Sequence, residues 1–412
     1  MPPRGDTGSA IVGVGHSGSS PAEMRALLTA VILLAPLCVV GGPPAPPEVA
    51  NNALLLAAST GRADLVEYAL EQGADIEIRD DTGEAKTALI IATRAGYIAV
   101  VDQLLAHGAE VNALTAGGLT ALMHAVLAAH RELVERLIAH GADPNVREKR
   151  QGDAALHMAA RGGDIGILAH LLEHGADPDI ASSKDGRTPL ILAAREADGV
   201  EAVIELIAGG ADVNRTDLDG HTALMGVAFR GYERISATLL SNHADPNAVS
   251  KDGRSALHRA AMRGRVVVIE QLLEAGADGE LRARNGNSPT GAAAFYGQLV
   301  AVELLIRAGI DPDGPARNGE TPLMLAVRGN HPEILQALLA SGANADAQAT
   351  GNGDTALMLA ADRGLLDAVR LLVDAGADVN RRARDGRTAL AAAEAIGDMR
   401  TANLLLSAGA VN

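Results

Sequence analysis

Residues 353–380 read GDTALMLAADRGLLDAVRLLVDAGADVN, and this stretch decides the fold. Thr355 is placed to cap a helix, because its hydroxyl can accept a hydrogen bond from the first free N–H groups. Apolar residues recur at helical spacing up to Arg363-Gly364 and again beyond it, which predicts two short helices separated by a turn. Gly376 stands where the chain must turn left-handed to close the second helix. The predicted unit needs neighbours of the same kind to bury its apolar faces.

Copies of this unit fill most of the chain at spacings of 33 or 34 residues. The capping position is occupied in order by Thr87, Thr120, Ala154, Thr188, Thr222, Ser255, Ser288, Thr321, Thr355 and Thr388. Self-similarity at a fixed period is the signature of a stacked array, in which each repeat contacts only its neighbours. We therefore predict an all-α solenoid over residues 51–412.

At these positions the sequence resembles the ankyrin repeat family. The motifs TPLILAA, SALHRAA and TPLMLAV occupy residues 188–194, 255–261 and 321–327, and GADVN occurs at 210–214 and 376–380. The resemblance implies about eleven helix-turn-helix repeats with β-hairpin fingers between them. It also implies that the array is not an enzyme and binds other proteins.

Seven of the predicted fingers carry Asp-Gly or Asn-Gly at the tip. The first residues of these pairs are Asp185, Asp219, Asp252, Asn285, Asn318, Asn352 and Asp385. Such pairs favour tight hairpin turns in which both residues take positive φ. The pairs therefore predict a row of hairpin tips along one edge of the array.

Composition and charge restrict the class of function. The 412 residues include no Trp and only two Phe, so Ala and Leu must fill the core. The formal net charge of -16 repels a polyanion, and we predict no nucleic-acid partner. Cys38 precedes the repeats, so the array contains no disulfide.

The first 50 residues differ from the array. Residues 1–23 are predicted to be a disordered or untranslated extension, with Met24 as the expected start. Residues 24–42 combine a basic start, a short apolar run and a small-residue tail, which is the layout of a secretory signal. Residues 43–50 are a Pro-rich, extended linker. We predict export, periplasmic or secreted, with cleavage between residues 41 and 50. The alternative is an uncleaved membrane anchor, although the run is shorter than the ~20 residues of a comfortable span.

Histidines in the repeats invite a metal or catalytic interpretation. His157 and His258 fall on the family's His position, where the resemblance implies a structural hydrogen bond between finger and helix. His107, His140 and His174 share one slot in three successive repeats. Neighbouring repeats are ~10 Å apart, whereas zinc ligands lie ~2 Å from their ion. We therefore predict no metal, no cofactor and no catalytic residue. His107, His140 and His174 are each favourable at the surface beside a helix C-terminus.

The resemblance places partner-binding side chains at the finger tips and at the ends of the first helices, seven and eight residues after the capping position. The candidates are Arg195, Phe229, Arg230, Met262, Arg263, Phe295, Tyr296 and Arg328. On a common concave face they would form an aromatic and basic strip of roughly 40 Å, at ~10 Å per repeat. We predict that an acidic protein segment with apolar anchors binds a monomeric array there. The alternative is that the rings pack sideways between repeats.

Three classes of function stay open at this point. The first is an exported scaffold or adaptor that binds a protein partner. The second is a regulator, inhibitor or protective partner of a secreted or periplasmic enzyme, which predicts one tight stoichiometric complex. The third, an enzyme or small-ligand protein, needs a pocket with convergent polar groups, whereas a one-dimensional stack offers a groove.

Overall fold

The structure is a computed structural model that describes residues 45–411. Within these residues lie 22 helices in eleven consecutive pairs. The first three pairs are α1 (Pro47–Thr60) and α2 (Ala63–Glu71), α3 (Ala88–Ala95) and α4 (Ile98–Ala106), and α5 (Ala121–Leu127) and α6 (Arg131–Ala139). The next four are α7 (Ala155–Gly162) and α8 (Ile165–Glu173), α9 (Pro189–Ala193) and α10 (Val200–Ala208), α11 (Ala223–Arg230) and α12 (Glu233–Ser241), and α13 (Ala256–Met262) and α14 (Val266–Glu274). The last four are α15 (Pro289–Phe295) and α16 (Leu299–Arg307), α17 (Pro322–Gly329) and α18 (Pro332–Ala340), α19 (Ala356–Asp362) and α20 (Leu366–Asp374), and α21 (Ala389–Ala395) and α22 (Met399–Ser407).

The chain divides into two compact units. Residues 45–116 contain α1 to α4, and residues 117–411 contain α5 to α22. The predicted extension and signal, residues 1–42, lie outside the described residues. Along residues 45–411, every helix is too short or too polar to cross a bilayer.

The predicted capping positions start the first helix of each pair from α3 onward, whereas α1 follows Pro46 without a side-chain cap. The hydroxyl of Thr355 accepts a hydrogen bond from the Met358 N–H at 3.3 Å, and the other Thr and Ser residues of the series do the same. Ala154 has no hydroxyl to offer. There the ring of His157 accepts the Ala154 N–H at 3.0 Å. The helix start is therefore fixed locally in each of these repeats.

Alanine and leucine build the core, as predicted. In the larger unit, each first helix packs on the next first helix and each second helix on the next second helix. In the repeat of α13 and α14, Leu257, Ile269 and Leu272 are fully buried. Ala260 and Ala261 are also fully buried, and their small side chains let successive first helices approach closely. Burial is thus shared between neighbours rather than completed within one repeat.

The predicted β-hairpin fingers are turns rather than strands. Within residues 45–411, the β-type pairing is confined to an isolated bridge between Arg79 and Thr87. A typical tip has two backbone bonds, from Ser250 N–H to the Arg254 carbonyl at 3.1 Å and from Gly253 N–H to the Ser250 carbonyl at 2.7 Å. These two bonds close a three-residue turn. The arms end before a strand can form.

The prediction of positive φ at both residues of each tip pair is wrong. Only the glycine is left-handed, as at Gly253 with φ of 75°. In five of the seven tips the loop has three residues, and such a loop built on a type I turn needs the left-handed conformation at its last residue alone. The loops that end at Gly186 and Gly353 are one residue longer and are also left-handed only at the glycine. Close approach also demands glycine, since a Cβ at Gly286 would lie 1.9 Å from the backbone nitrogen of Arg317 in the next tip. Adjacent tips are joined by backbone bonds, such as Lys251 N–H to the Asp219 carbonyl at 2.9 Å.

The first helix begins at Pro47 rather than at residue 51. Residues 47–50, the end of the predicted extended linker, are therefore helical. Proline is tolerated in the first turn because the N–H that it lacks has no partner there. Ala50 is buried, so this turn belongs to the packed array.

Candidate protein-binding surface

The eight predicted site residues, called here the first-helix row, all belong to the larger unit. Arg195 follows α9, Phe229 and Arg230 end α11, Met262 ends α13 with Arg263 after it, Phe295 ends α15 with Tyr296 after it, and Arg328 lies in the last turn of α17. The row thus occupies the same position in five consecutive repeats. The last side chains and carbonyls of a helix point outward. Residues at the same position in successive repeats therefore lie side by side on one surface.

Hydrogen bonds from the following repeat tie these helix ends together. The donors all come from the turn between the two helices of the next repeat. The bonds run from Arg265 Nε to the Phe229 carbonyl at 3.4 Å, from Gln298 Nε2 to the Met262 carbonyl at 3.5 Å and from Arg363 Nη1 to the Arg328 carbonyl at 2.6 Å. The Nε2 atom of His331 lies 3.2 Å from the Phe295 carbonyl in the same arrangement. These bonds satisfy helix-end carbonyls and hold the row at a fixed spacing.

The aromatic members of the row differ in exposure. Phe295 and Tyr296 expose 40% and 49% of their surface, and their rings meet edge to face with centroids 5.2 Å apart. Phe229 and Met262 are half-buried. Phe295 and Tyr296 are therefore the aromatic members with the most surface available for contact.

Half of the first-helix row lines a cavity of about 450 Å³. Met262, Phe295, Tyr296 and Arg328 contribute its first-helix side. The opposite side comes from finger residues that the sequence analysis did not select, among them Arg254, Asn285, Asn287, Asn318 and Glu320. The cavity is open, with aromatic side chains on one side and amide side chains on the other. Its volume is in the ~300–1,000 Å³ range of small-ligand pockets.

The sequence contains one signal for the amide side of the cavity, which is a change in the residue pairs at the finger tips. The tip pairs switch from Asp-Gly at Asp252 to Asn-Gly at Asn285 and Asn318. Both kinds of pair were expected only to form tight turns. Asparagine offers two amide donors and one acceptor without a charge, whereas aspartate is an acceptor alone.

The cavity end of the row is not basic, although the sequence predicted a basic strip. Arg328 forms an ion pair with Glu320, which is only 9% exposed. Arg254 pairs with Asp252 at 3.2 Å. Both arginines thus have a carboxylate partner, and Asp252 also pairs with Arg259 at 3.5 Å.

At the other end of the row the arginines form no direct ion pairs with other described residues. Arg195, Arg230 and Arg263 have no carboxylate within ion-pair distance among the described residues. Burial lowers the pKa of Arg195, the charges of Arg187 and Arg230 lower it further, and the nearby carboxylates of Asp185 and Glu196 partly oppose this shift. The guanidinium keeps its proton at neutral pH because its ordinary pKa is far above 7. Three arginines therefore form a local positive patch on an acidic protein.

The buried histidines have the structural role that the resemblance implied. His258 Nδ1 accepts the Ser255 N–H at 3.3 Å, and its Nε2 donates to the Asn287 carbonyl at 3.0 Å. His157 makes the corresponding bond to the Arg187 carbonyl at 3.0 Å. Burial lowers the pKa of both residues, that of His258 to about 4. Both rings are therefore neutral ties between helix and finger at neutral pH.

Comparison with known proteins agrees with the repeat geometry. A family model described as ankyrin repeats (3 copies) matches residues 54–148, 122–217, 190–283, 269–349 and 331–412. The crystal structure of the human ASB11 ankyrin repeat domain is similar at 28% sequence identity and a TM-score of 0.50, over 55% of this chain and 100% of that one. Ankyrin repeats generally serve as protein–protein interaction modules. With the family model matched from residue 54 to residue 412, the chain belongs to the ankyrin repeat family.

Proposed function

We propose that this protein is a non-catalytic interaction module that binds a protein partner along the first-helix row. The observation that carries the proposal is the juxtaposition of an unpaired arginine patch and an aromatic cavity on one row of an acidic array. Arginine and aromatic residues dominate interface hot spots because they bury large areas and make directed polar contacts. The row offers both within five repeats.

The charge distribution predicts the orientation of a bound segment along the first-helix row. Carboxylates of the partner would pair with Arg195, Arg230 and Arg263, which form no ion pair with another described residue. An apolar side chain of the same segment would enter the cavity beside Phe295 and Tyr296. The bound segment is therefore acidic at the α9 end and apolar at the α15 end. A nucleic acid is disfavoured, since the net charge of -16 opposes a long polyanion.

The test compares capture by the mature array with capture by matched variants. Proteins retained by the array are identified by mass spectrometry, and binding of the purified partner is then measured. The double variant Phe229→Ala, Phe295→Ala should weaken binding by at least ~2 kcal/mol, the hot-spot threshold, or roughly 30-fold. Helical content should stay unchanged, because both rings lie at helix ends.

The control removes apolar surface from the second helices of the same unit. Val267 and Val300 expose 39% and 51% of their surface and lie on α14 and α16. The variant Val267→Ala, Val300→Ala should keep wild-type affinity. If the phenylalanine variant unfolds while affinity per folded molecule is unchanged, the rings are core and the binding surface lies at the finger tips.

We also infer that the array acts after export, as a monomer, in the periplasm or outside the cell. The support is the three-part layout of residues 24–42, with an uncleaved membrane anchor as the alternative. Stoichiometry separates a scaffold from a regulator of a secreted or periplasmic enzyme. One tight complex with a single enzyme would favour the regulator, and several partners that compete for the row would favour the scaffold.

A further inference from the structure

The last turn of α8 brings two histidines and a glutamate together on one side of the helix. One ligand atom from each of His170, Glu173 and His174 lies within 4.8 Å of the others. The two imidazole rings have centroids 4.1 Å apart with planes inclined by 38°. Ligands about 2 Å from one metal ion are roughly 3–4 Å from one another. Small rotations of the exposed Glu173 and His174 side chains would close the remaining gap.

A backbone hydrogen bond already selects the His174 tautomer that metal binding requires. Its Nδ1 lies 2.8 Å from the carbonyl oxygen of His170. A carbonyl oxygen only accepts, so Nδ1 carries the proton of the neutral ring and Nε2 keeps a free lone pair. Metal-binding histidines commonly have their second nitrogen bonded to a backbone carbonyl in this way. The tautomer that a metal needs is therefore selected by the helix itself.

His170 supplies a second and independent indication. The residue is half-buried, and its Nε2 is shielded from solvent without a hydrogen-bond partner among residues 45–411. A shielded polar atom without a partner is unfavourable. In the tautomer with its proton on Nδ1, His170 would satisfy this nitrogen by binding a metal ion. Glu173 is exposed and forms no ion pair with another described residue, so its carboxylate is available.

The two preceding repeats show what is specific to α8. His107 and His140 bond their own helix carbonyls through Nδ1 at 2.8 Å, just as His174 does. Four residues earlier, however, these repeats carry Gln103 and Arg136 in place of a histidine. The shared His slot is thus a helix-end feature, and the chelating pair occurs in one of the three repeats. The sequence predicted no metal anywhere in the array, on the ground that histidines of different repeats are too far apart to share an ion; a site within one helix end, as proposed here, departs from that prediction.

We propose that His170, Glu173 and His174 bind one divalent transition-metal ion of the zinc, nickel and copper class. Two imidazole nitrogens and one carboxylate oxygen form a donor set that these borderline ions prefer, with water in the remaining positions. The cavity beside Phe295 and Tyr296 lies elsewhere in this unit, against α13 to α17, and we infer metal binding alone for the His170 cluster.

Calorimetric titration of the full chain without a polyhistidine tag tests this site. Zn²⁺ and Ni²⁺ are titrated separately into wild type and into the variants His174→Ala, His170→Gln and His140→Ala. Wild type should bind one ion per chain at this site, and each of the first two variants should lose at least tenfold in affinity. His140→Ala should change affinity less than twofold. All proteins keep Cys38 and the other histidines, so the difference isolates the cluster.

Two results would show that His170, Glu173 and His174 do not form a metal site. One is a titration of wild type without saturable binding, and the other is equal affinity in wild type and in His174→Ala. The second result is decisive even if His170→Gln folds poorly, because His174 is exposed and its removal leaves the packed face of α8 intact. Helical content measured by circular dichroism accompanies each variant.

Discussion

The guanidinium carbon of Arg263 lies 4.3 Å from the centroid of the Phe229 ring. Arg263 thus reaches back to the preceding repeat and stacks on the phenylalanine at the end of α11. The contact orients a half-buried ring and a cation that has no carboxylate partner among the described residues. The charged and the aromatic parts of the first-helix row are therefore physically connected at this pair.

We expect a double-mutant cycle to detect this contact. The free energy of unfolding is measured for Phe229→Leu, Arg263→Gln and the double variant. A coupling of about 0.5–1 kcal/mol is expected, the usual size for an exposed cation–π pair. Arg230→Gln paired with Phe229→Leu serves as the comparison cycle. Additive single effects for Phe229 and Arg263 would show that the stacking adds nothing to stability.

The protonation of buried histidines should make stability depend on pH. Burial lowers the pKa of His258 to about 4, below its ordinary value of 6.5. In this interval the unfolded chain binds the proton and the folded chain does not, so acidification favours unfolding. Stability is fully present above pH 6.5 and is lost as the pH falls toward 4. The contribution of His258 to this loss is about 2 kcal/mol between pH 7 and pH 5.

Urea denaturation followed by circular dichroism at several pH values measures this dependence. The variant His258→Gln should show a shallower decline, because glutamine can serve at the third helix position without titrating. The exposed His140→Gln variant should decline as wild type does. The same slope in His258→Gln and wild type would assign the decline to other groups.

His243 should be a weak point in the sixth repeat. The other ten repeats place glycine at this helix end, and His243 adopts φ of 65° there, against 83° at Gly276. The left-handed conformation is costly for a residue with a side chain. We expect His243→Gly to raise stability by roughly 0.5–1 kcal/mol.

The reverse change at Gly276 is the matched control for His243. A Cβ at Gly276 meets no atom within 4 Å, so Gly276→His should be destabilising through backbone strain alone. Thermal and urea midpoints give both values. An unchanged or lower midpoint for His243→Gly would show that the His243 side chain makes a compensating contact.

The position of α1 narrows the predicted cleavage site of the signal. Cleavage within residues 47–50 would remove part of the first helix, which begins at Pro47 and buries Ala50. We expect the mature N-terminus to lie between residues 41 and 46. Mass spectrometry of protein recovered after export measures it. Mature protein that still carries residues 24–40, or protein confined to the cytoplasm, would contradict export with cleavage.

The amino-acid sequence by itself determined the repeat register and the helix ends. Thr355 caps α19 and Gly376 takes φ of 85° after α20, as predicted from one repeat alone. These features depend on atoms three or four residues apart, so they are the same whatever the rest of the chain does. The role of His258 was expected as well, although from the resemblance to the ankyrin repeat family and not from the period of the sequence.

Only the tertiary structure decided the chemistry of the surface. Whether Arg328 is free depends on Glu320 across the finger, and the orientation of Phe229 depends on Arg263 in the next repeat. The cavity exists because Asn285 and Asn318 face Phe295 once the repeats are stacked. Such contacts join residues from different elements, and their distances are set by how the helices pack, which no local pattern encodes. The periodic sequence therefore fixed the scaffold, while packing between repeats determined which charges and rings remain available to a partner.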